Sequence, residues 1–183
     1  MKGVTSMTIM IRKATIDDCP GLAKVHVDSW RTTYDQIVSE DYLDDLSYIK
    51  SEERWVERFK NAHENYIMYV ALNEAGNIVG FANSGPTRSS DLDYDSELYA
   101  IYILKKYQRK RIGKQLMKSV VEHLSLHYNS MLVWVLAENE SLHFYEALGG
   151  KLVRTSKITI GNKELDEIAY GWSNIKELYA SLL

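Results

Sequence analysis

What this chain lacks narrows it before anything it contains. Across 183 residues there is one cysteine, Cys19, so no intramolecular disulfide can form, which fits a reducing compartment. Cys19 stands before Pro20 at a predicted helix start with no base nearby in sequence, and it reads as a buried thiol rather than a nucleophile. The longest apolar run, Met131–Ala137, is seven residues, far short of a membrane span. Met1–Met10 holds one lysine and no apolar core of signal-peptide length. Net positive charge is missing as well: 22 Lys and Arg against 25 Asp and Glu leave a formal charge of −3. Binders of nucleic acid or of membrane surfaces are usually basic overall, so neither partner is expected. A cytoplasmic location is the expectation. No internal repeat, low-complexity tract or linker divides the chain, and its length suits a single domain over residues 1–183.

Three chemical motifs are absent too. A P-loop needs a glycine, four residues and then Gly-Lys-Ser/Thr, yet Gln108 stands at the first glycine position and Gln115 follows Gly113-Lys114. A G-x-G-x-x-G dinucleotide fingerprint fails because Gly113 is the only glycine in that turn. His123 and His127 lie four apart, but without an HExxH pattern or a third ligand they predict no metal site.

What is present is positive charge concentrated in one place. Six of the ten residues from Lys105 to Lys114 are Lys or Arg. They sit where a predicted strand runs into a predicted helix, a joint whose backbone N–H groups have no intrahelical partners. Such a turn suits a phosphate.

The flanking pattern predicts a mixed α/β sheet. Ile9–Ile11 reads as a first strand. Asp17 or Asp18 can cap a helix with Pro20 in its first turn, and Leu22, Val25 and Trp30 recur at helical spacing through Thr33. Residues 39–63 predict a second helical region. Residues 66–72 and 78–82 predict a β-hairpin, residues 84–95 a polar loop, and residues 97–104 a strand. Ile112, Leu116, Met117, Val120, Val121 and Leu124 form one face of an amphipathic helix. Met131–Leu136 is apolar on both faces, as a central strand covered by helices would be. A short helix over residues 141–148 ends at Gly149-Gly150, and strands over 152–160 and 165–172 flank a turn. The strand–helix–strand in the middle predicts a parallel crossover, and the remainder antiparallel pairing, with helices on both faces.

Two motifs in register go further. Gln108, Ile112 and Gly113 fit Gln-x-x-Gly-x-Gly/Ala, with Arg111 in place of its first glycine. Downstream come Val133-x-Val135, then Asn139, then Phe144-Tyr145 and Gly149-Gly150. The pair resembles the acyl-CoA pyrophosphate loop and the second motif of the GNAT N-acetyltransferases. The resemblance spans most of the chain, including Trp30-Arg31-Thr32-Thr33-Tyr34, which is similar to a segment of many bacterial members. It implies a six- to seven-stranded, mostly antiparallel sheet whose central parallel pair splays apart, and an acetyl-CoA cosubstrate with no metal.

The same resemblance implies roles for particular residues. Backbone N–H groups across Arg109, Lys110, Arg111, Ile112, Gly113 and Lys114 would face the pyrophosphate, with Gln108 shaping the loop. Arg111 would send its guanidinium to a phosphate oxygen or into solvent. Backbone groups of Tyr102 and Ile103 would pair with pantetheine, and an N–H near Ile103 would polarise the thioester carbonyl. Asn139 would bond the pantetheine or cap the helix that follows. Tyr145 would protonate the departing thiolate, a task open to a phenol at neutral pH, or else be a core tyrosine on the Leu142 and Leu148 face. Glu97 would serve as the base, or be an exposed strand-end carboxylate. Asp91, Asp93, Asp95 and Glu97 would form an acidic rim attractive to a cationic amine. Trp30, Arg31 and Tyr34 would line the acceptor pocket. The implied reaction is transfer of acetyl to a primary amine of a small molecule, peptide or protein, by a monomer or a homodimer. The competing readings are a non-catalytic acyl-CoA-binding module and a nucleic-acid-binding domain that uses residues 105–114.

Overall fold

The computed structural model describes residues 8–183. Strand β1 (Met10–Lys13) leads into helix α1 (Cys19–Thr33), followed by α2 (Glu40–Asp44) and α3 (Tyr48–Lys60). Three strands come next: β2 (Ile67–Leu72), β3 (Ile78–Pro86) and β4 (Ser96–Ile103). Helix α4 (Ile112–Leu124) crosses to β5 (Met131–Leu136), and α5 (Leu142–Ala147) precedes the hairpin of β6 (Lys151–Ile160) and β7 (Lys163–Trp172). Helix α6 (Ile175–Ser181) closes the order. The strands form one seven-stranded sheet, β1-β2-β3-β4-β5-β7-β6. Every neighbouring pair is antiparallel except β4 and β5. The expected mixed sheet with a central parallel pair is the observed one.

Helices cover both faces, and each face has its own core. On one side the apolar stripe of α4, from Ile112 to Leu124, packs with Val133 and Val135 of β5 and Ile175 and Leu178 of α6. On the other, Leu22 and Val25 of α1 meet Trp55 of α3 and Met68, Val70 and Phe81 of the sheet. Met131, Leu132 and Val133 are 2% exposed or less, which accounts for a strand apolar on both faces. The opposite case is β6, an edge strand whose residues are mostly exposed or half-exposed.

Local sequence was misleading at four points. The helical region expected over 39–63 is two helices, because Ser47 accepts the Lys50 N–H and restarts the chain at α3. Ser84–Pro86, expected in a loop, extends β3 through pairing with Leu98, Glu97 and Ser96 of β4. Asp18 precedes α1 but makes no side-chain cap bond to it; its carboxylate takes the Thr15 N–H and the Arg12 guanidinium instead. Helix α6 was not anticipated, although Asn174 caps it by accepting from the N–H groups of Lys176 and Glu177. No helix among the described residues is long and apolar enough to cross a membrane.

The consequential irregularity is in β4. Ala100 pairs with Asn83 and Leu98 with Ser84, so Tyr99 is an extra, bulged residue. Bulges bend a strand and increase its twist. On its other edge β4 pairs with β5 only at Ser96, Glu97 and Leu98. Beyond the bulge the two parallel strands separate, and among the described residues no strand fills the gap.

Candidate active site

The gap exposes a defined set of backbone groups. Leu104 N–H donates to Val79 of β3, and alternate residues of an antiparallel ladder bond the same neighbour. The peptide groups of Tyr102 therefore face β3, while those of Ile101 and Ile103 face the gap. The expectation for Ile103 fits this alternation, whereas Tyr102 can contribute its side chain but not its backbone. Gln108 Nε2 donates to Ile103 O at 3.0 Å and ties the basic turn back to the strand end.

The turn itself is held open. Arg109 has φ 58° and Arg111 φ 64°, both left-handed, and Arg111 is the residue immediately before α4. A left-handed conformation costs a non-glycine residue roughly 1–2 kcal/mol, which accounts for glycine at that position of the motif. The N–H groups of residues 109–114 have no acceptor among the described residues; the first inward bond is Gln115 N–H to Arg111 O. Lys105, Lys106, Arg109, Lys110, Arg111 and Lys114 are exposed, and none forms an ion pair with a described residue. A Cβ built on Gly113 would meet Ile103 and Phe144 at 3.4 and 3.6 Å, ordinary contact distances. The fold itself does not require glycine there.

At the gap, residues from four segments converge. Tyr145 of α5 has its ring buried against Tyr170 and Trp172. Its hydroxyl makes no hydrogen bond to a described residue and is not sealed from solvent. Burial, reinforced by Tyr34, holds its pKa well above that of a free phenol, so it is protonated at neutral pH. Tyr34 lies at the end of α1, and its hydroxyl is 3.2 Å from that of Tyr102. Trp30 packs on Tyr34 with ring centroids 4.6 Å apart. Asn139 is buried; its Oδ1 accepts the Ser141 N–H at 2.9 Å and its amide lies beside Tyr34. One side chain thus turns the chain into α5 and contributes to the cleft wall.

Other expected members are placed elsewhere. The Arg31 guanidinium donates to the carbonyls of Leu43 and Leu46 at 3.3 and 2.8 Å, fastening α1 to the segment before α3. Glu97 is no exposed strand-end carboxylate: it is 1% exposed and accepts three bonds from Arg88, one from its N–H and two from its guanidinium. Three members of the acidic rim are engaged by partners of their own. Asp95 accepts from Asn129 N–H, Ser130 N–H and Ser130 Oγ, and Asp91 pairs with Arg154.

Two cavities lie against α3, on the face of the sheet that α1 covers. One, of about 280 Å³, is lined by His26, Trp30, Tyr42, Ser51, Arg54 and Arg58 among others. A wider one, of about 800 Å³, shares Arg54 and Arg58 and reaches Tyr66, Arg88 and the bulged Tyr99. His26 stands between Trp30 and Tyr102, with centroids 5.7 and 5.8 Å away, and its Nδ1 is 3.1 Å from Ser51 Oγ. Burial, followed by the charges of Arg54 and Arg58, lowers its pKa to about 4, so the ring is neutral. Sequence reasoning found no use for His26, because its neighbours come from α3 and β4. The four-residue spacing of Arg54 and Arg58 was legible as one helix face, but an ordinary solvated face has the same spacing.

The chain is similar to known acetyltransferases in sequence and in fold. Residues 64–149 match the acetyltransferase (GNAT) domain family. The chain is 40% identical over 171 residues to the uncharacterised N-acetyltransferase YuaI of Bacillus subtilis (strain 168), covering 93% of this chain and 96% of that protein. It is 30% identical over 115 residues to a spermidine N(1)-acetyltransferase of Thermoplasma acidophilum, covering 61% of this chain and 67% of the relative. The fold superimposes on the PaiA N-acetyltransferase of Thermoplasma acidophilum, solved in complex with coenzyme A, with a TM-score of 0.69. That likeness covers 88% of this chain and 98% of the other at 24% identity.

Proposed function

The chain belongs to the GNAT family of acetyl-CoA-dependent N-acetyltransferases, and we propose that it passes the acetyl group directly to a primary amine bound beside acetyl-CoA in one ternary complex. One observation carries this reading: the β4–β5 gap has a row of free N–H groups at residues 109–114 at one end and the unpaired Tyr145 hydroxyl in its wall. The residues fit the cosubstrate. The free N–H groups and exposed cations suit a pyrophosphate, and the gap-facing groups of Ile101 and Ile103 suit an extended amide-bearing arm.

In the proposed reaction the Ile103 N–H, or that of Ile101, polarises the thioester carbonyl. The neutral amine forms the new C–N bond and the C–S bond breaks. Tyr145 gives its proton to the sulfur, and the proton lost by nitrogen restores the phenol through solvent. Tyr34, Tyr102 and Trp30 shape the acceptor side. Because three bonds from Arg88 take up most of the acceptor capacity of Glu97, we assign this carboxylate to holding Arg88 and the β4 bulge rather than to removing the amine proton. Arg31 positions α1.

The direct test is CoA release from acetyl-CoA across a panel of amines, together with thermal unfolding. A ligand that binds only the folded state raises Tm, by about 2.7 kcal/mol of stability at 100 times its Kd. No Tm shift at saturating acetyl-CoA would remove the cosubstrate. A shift without turnover on any amine would leave only a binding module. A second measurement addresses Arg111. Restoring the motif glycine, Arg111→Gly, should stabilise the free protein by up to about 1 kcal/mol, since glycine adopts φ 64° without strain. It should also weaken acetyl-CoA, because a guanidinium that can reach a phosphate is lost. Equal affinity would mean that Arg111 points into solvent.

A further inference from the structure

Two arginines on α3 have no counter-ion among the described residues. Arg54 and Arg58 stand one helical turn apart and both line the smaller cavity, yet neither forms a salt bridge with a described residue. No acidic side chain lines that cavity. Of the nearby glutamates, Glu53 and Glu57 line only the wider one, and Glu57 is taken up by Lys60 and Asn61. Arg58 is steadied over the Trp55 ring, 5.3 Å from its centroid. The remaining lining is neutral and mostly aromatic: His26, Trp30, Tyr42 and Trp55, with Leu46 and Ser51. Trp30 Nε1 is buried beside the Tyr102 hydroxyl, on the side of the reacting gap. The charged lining of this cavity is therefore two guanidinium cations.

The cavity is not a second view of the cosubstrate site. Helix α3 packs on the face of the sheet opposite α4, whose start carries the basic turn. It is coupled to the reacting gap through His26 and Trp30, which contact Tyr102 and Tyr34. At about 280 Å³ it lies near the lower end of small-molecule sites, about 300 Å³.

We propose that the acceptor amine carries a carboxylate, as an amino acid does, and that Arg54 and Arg58 hold this group while the amine reaches past His26 and Trp30 toward Tyr34 and Tyr102. This rests on the acetyltransfer reading above and adds the substrate class. A planar guanidinium matches a carboxylate edge to edge, which a polycation cannot exploit. Two unpaired cations repel a polyamine, the acceptor named for several of the relatives.

The test uses the whole chain at saturating acetyl-CoA and follows CoA release with L-amino acids, the same compounds as primary carboxamides, and spermidine, compared at equal free-base concentration. At least one amino acid should exceed its carboxamide in kcat/KM by about 10- to 150-fold, the range for a hydrogen bond to a charged group. The double variant Arg54→Gln/Arg58→Gln should erase that preference and leave acetyl-CoA affinity as it was. Three results would overturn the inference while acetyl transfer stands. They are a wild-type preference for spermidine or carboxamides, a carboxylate preference that survives the double variant, or a loss of acetyl-CoA affinity matching the loss of preference. No CoA release with any amine of the panel would overturn the acetyltransfer reading, and this inference with it.

Discussion

Tyr145→Phe is expected to lower kcat by about 100-fold or more, the usual contribution of a positioned proton donor, with acetyl-CoA affinity and Tm essentially unchanged. The separation follows from how the residue sits. Its ring packs against Tyr170 and Trp172, and phenylalanine keeps that packing. The hydroxyl bonds no described residue, so its removal strands no buried partner. What is lost is a proton held at the gap by a phenol whose pKa burial has raised. The sign of that shift matters for pH dependence. A raised pKa keeps the donor protonated further into the alkaline range, so deprotonation of Tyr145 should not limit the wild type near neutral pH. Rapid quench of a single turnover with a good amine would isolate the chemical step. Wild-type rates in Tyr145→Phe would return this residue to the core.

The second large effect is expected at the basic turn. Gly113→Glu should weaken acetyl-CoA by about 100-fold while leaving the free protein as stable as before, or slightly more so. A carboxylate in the first turn of a helix interacts favourably with its dipole, by about 0.3–1 kcal/mol. The added Cβ meets only ordinary contacts. Against a bound pyrophosphate the same charge is repelled by about 3 kcal/mol at 5 Å with an effective dielectric near 20. Tm and Kd should therefore move independently, as calorimetry and a titration of the free protein would show. Gly113→Ala isolates the steric part, because it adds the Cβ without the charge. Unchanged affinity in both variants would place the pyrophosphate elsewhere.

Much of this molecule was legible locally. The α4 stripe, the doubly apolar β5 and the hairpin at Asn73–Asn77 each follow from residues close in sequence. The basic turn was legible for the same reason: Gln108, Arg111 and Gly113 act within a few residues of one another. The α6 cap at Asn174 was equally local and was overlooked. Other features depend on partners far along the chain. Glu97 looked like a free carboxylate until β3 and β4 brought Arg88 over it. Arg31 looked like a pocket residue until α2 and the turn after it offered two carbonyls. Asp91 and Asp95 looked like a rim until Arg154 and Ser130 reached them.

The sequence by itself determined the class of chemistry. A concentrated basic turn with Asn139 and Tyr145 in register is a pattern written in residues a few positions apart. Only the tertiary structure decided where that chemistry can act. The Tyr99 bulge stops β4 pairing with β5 after Leu98, and the open edge joins the turn to Tyr145. Whether two strands remain paired, and whether Arg54 and Arg58 face an acid or an aromatic wall, depends on side chains packed from α1, α3 and the sheet. Such contacts form between segments tens of residues apart, where sequence spacing carries no distance.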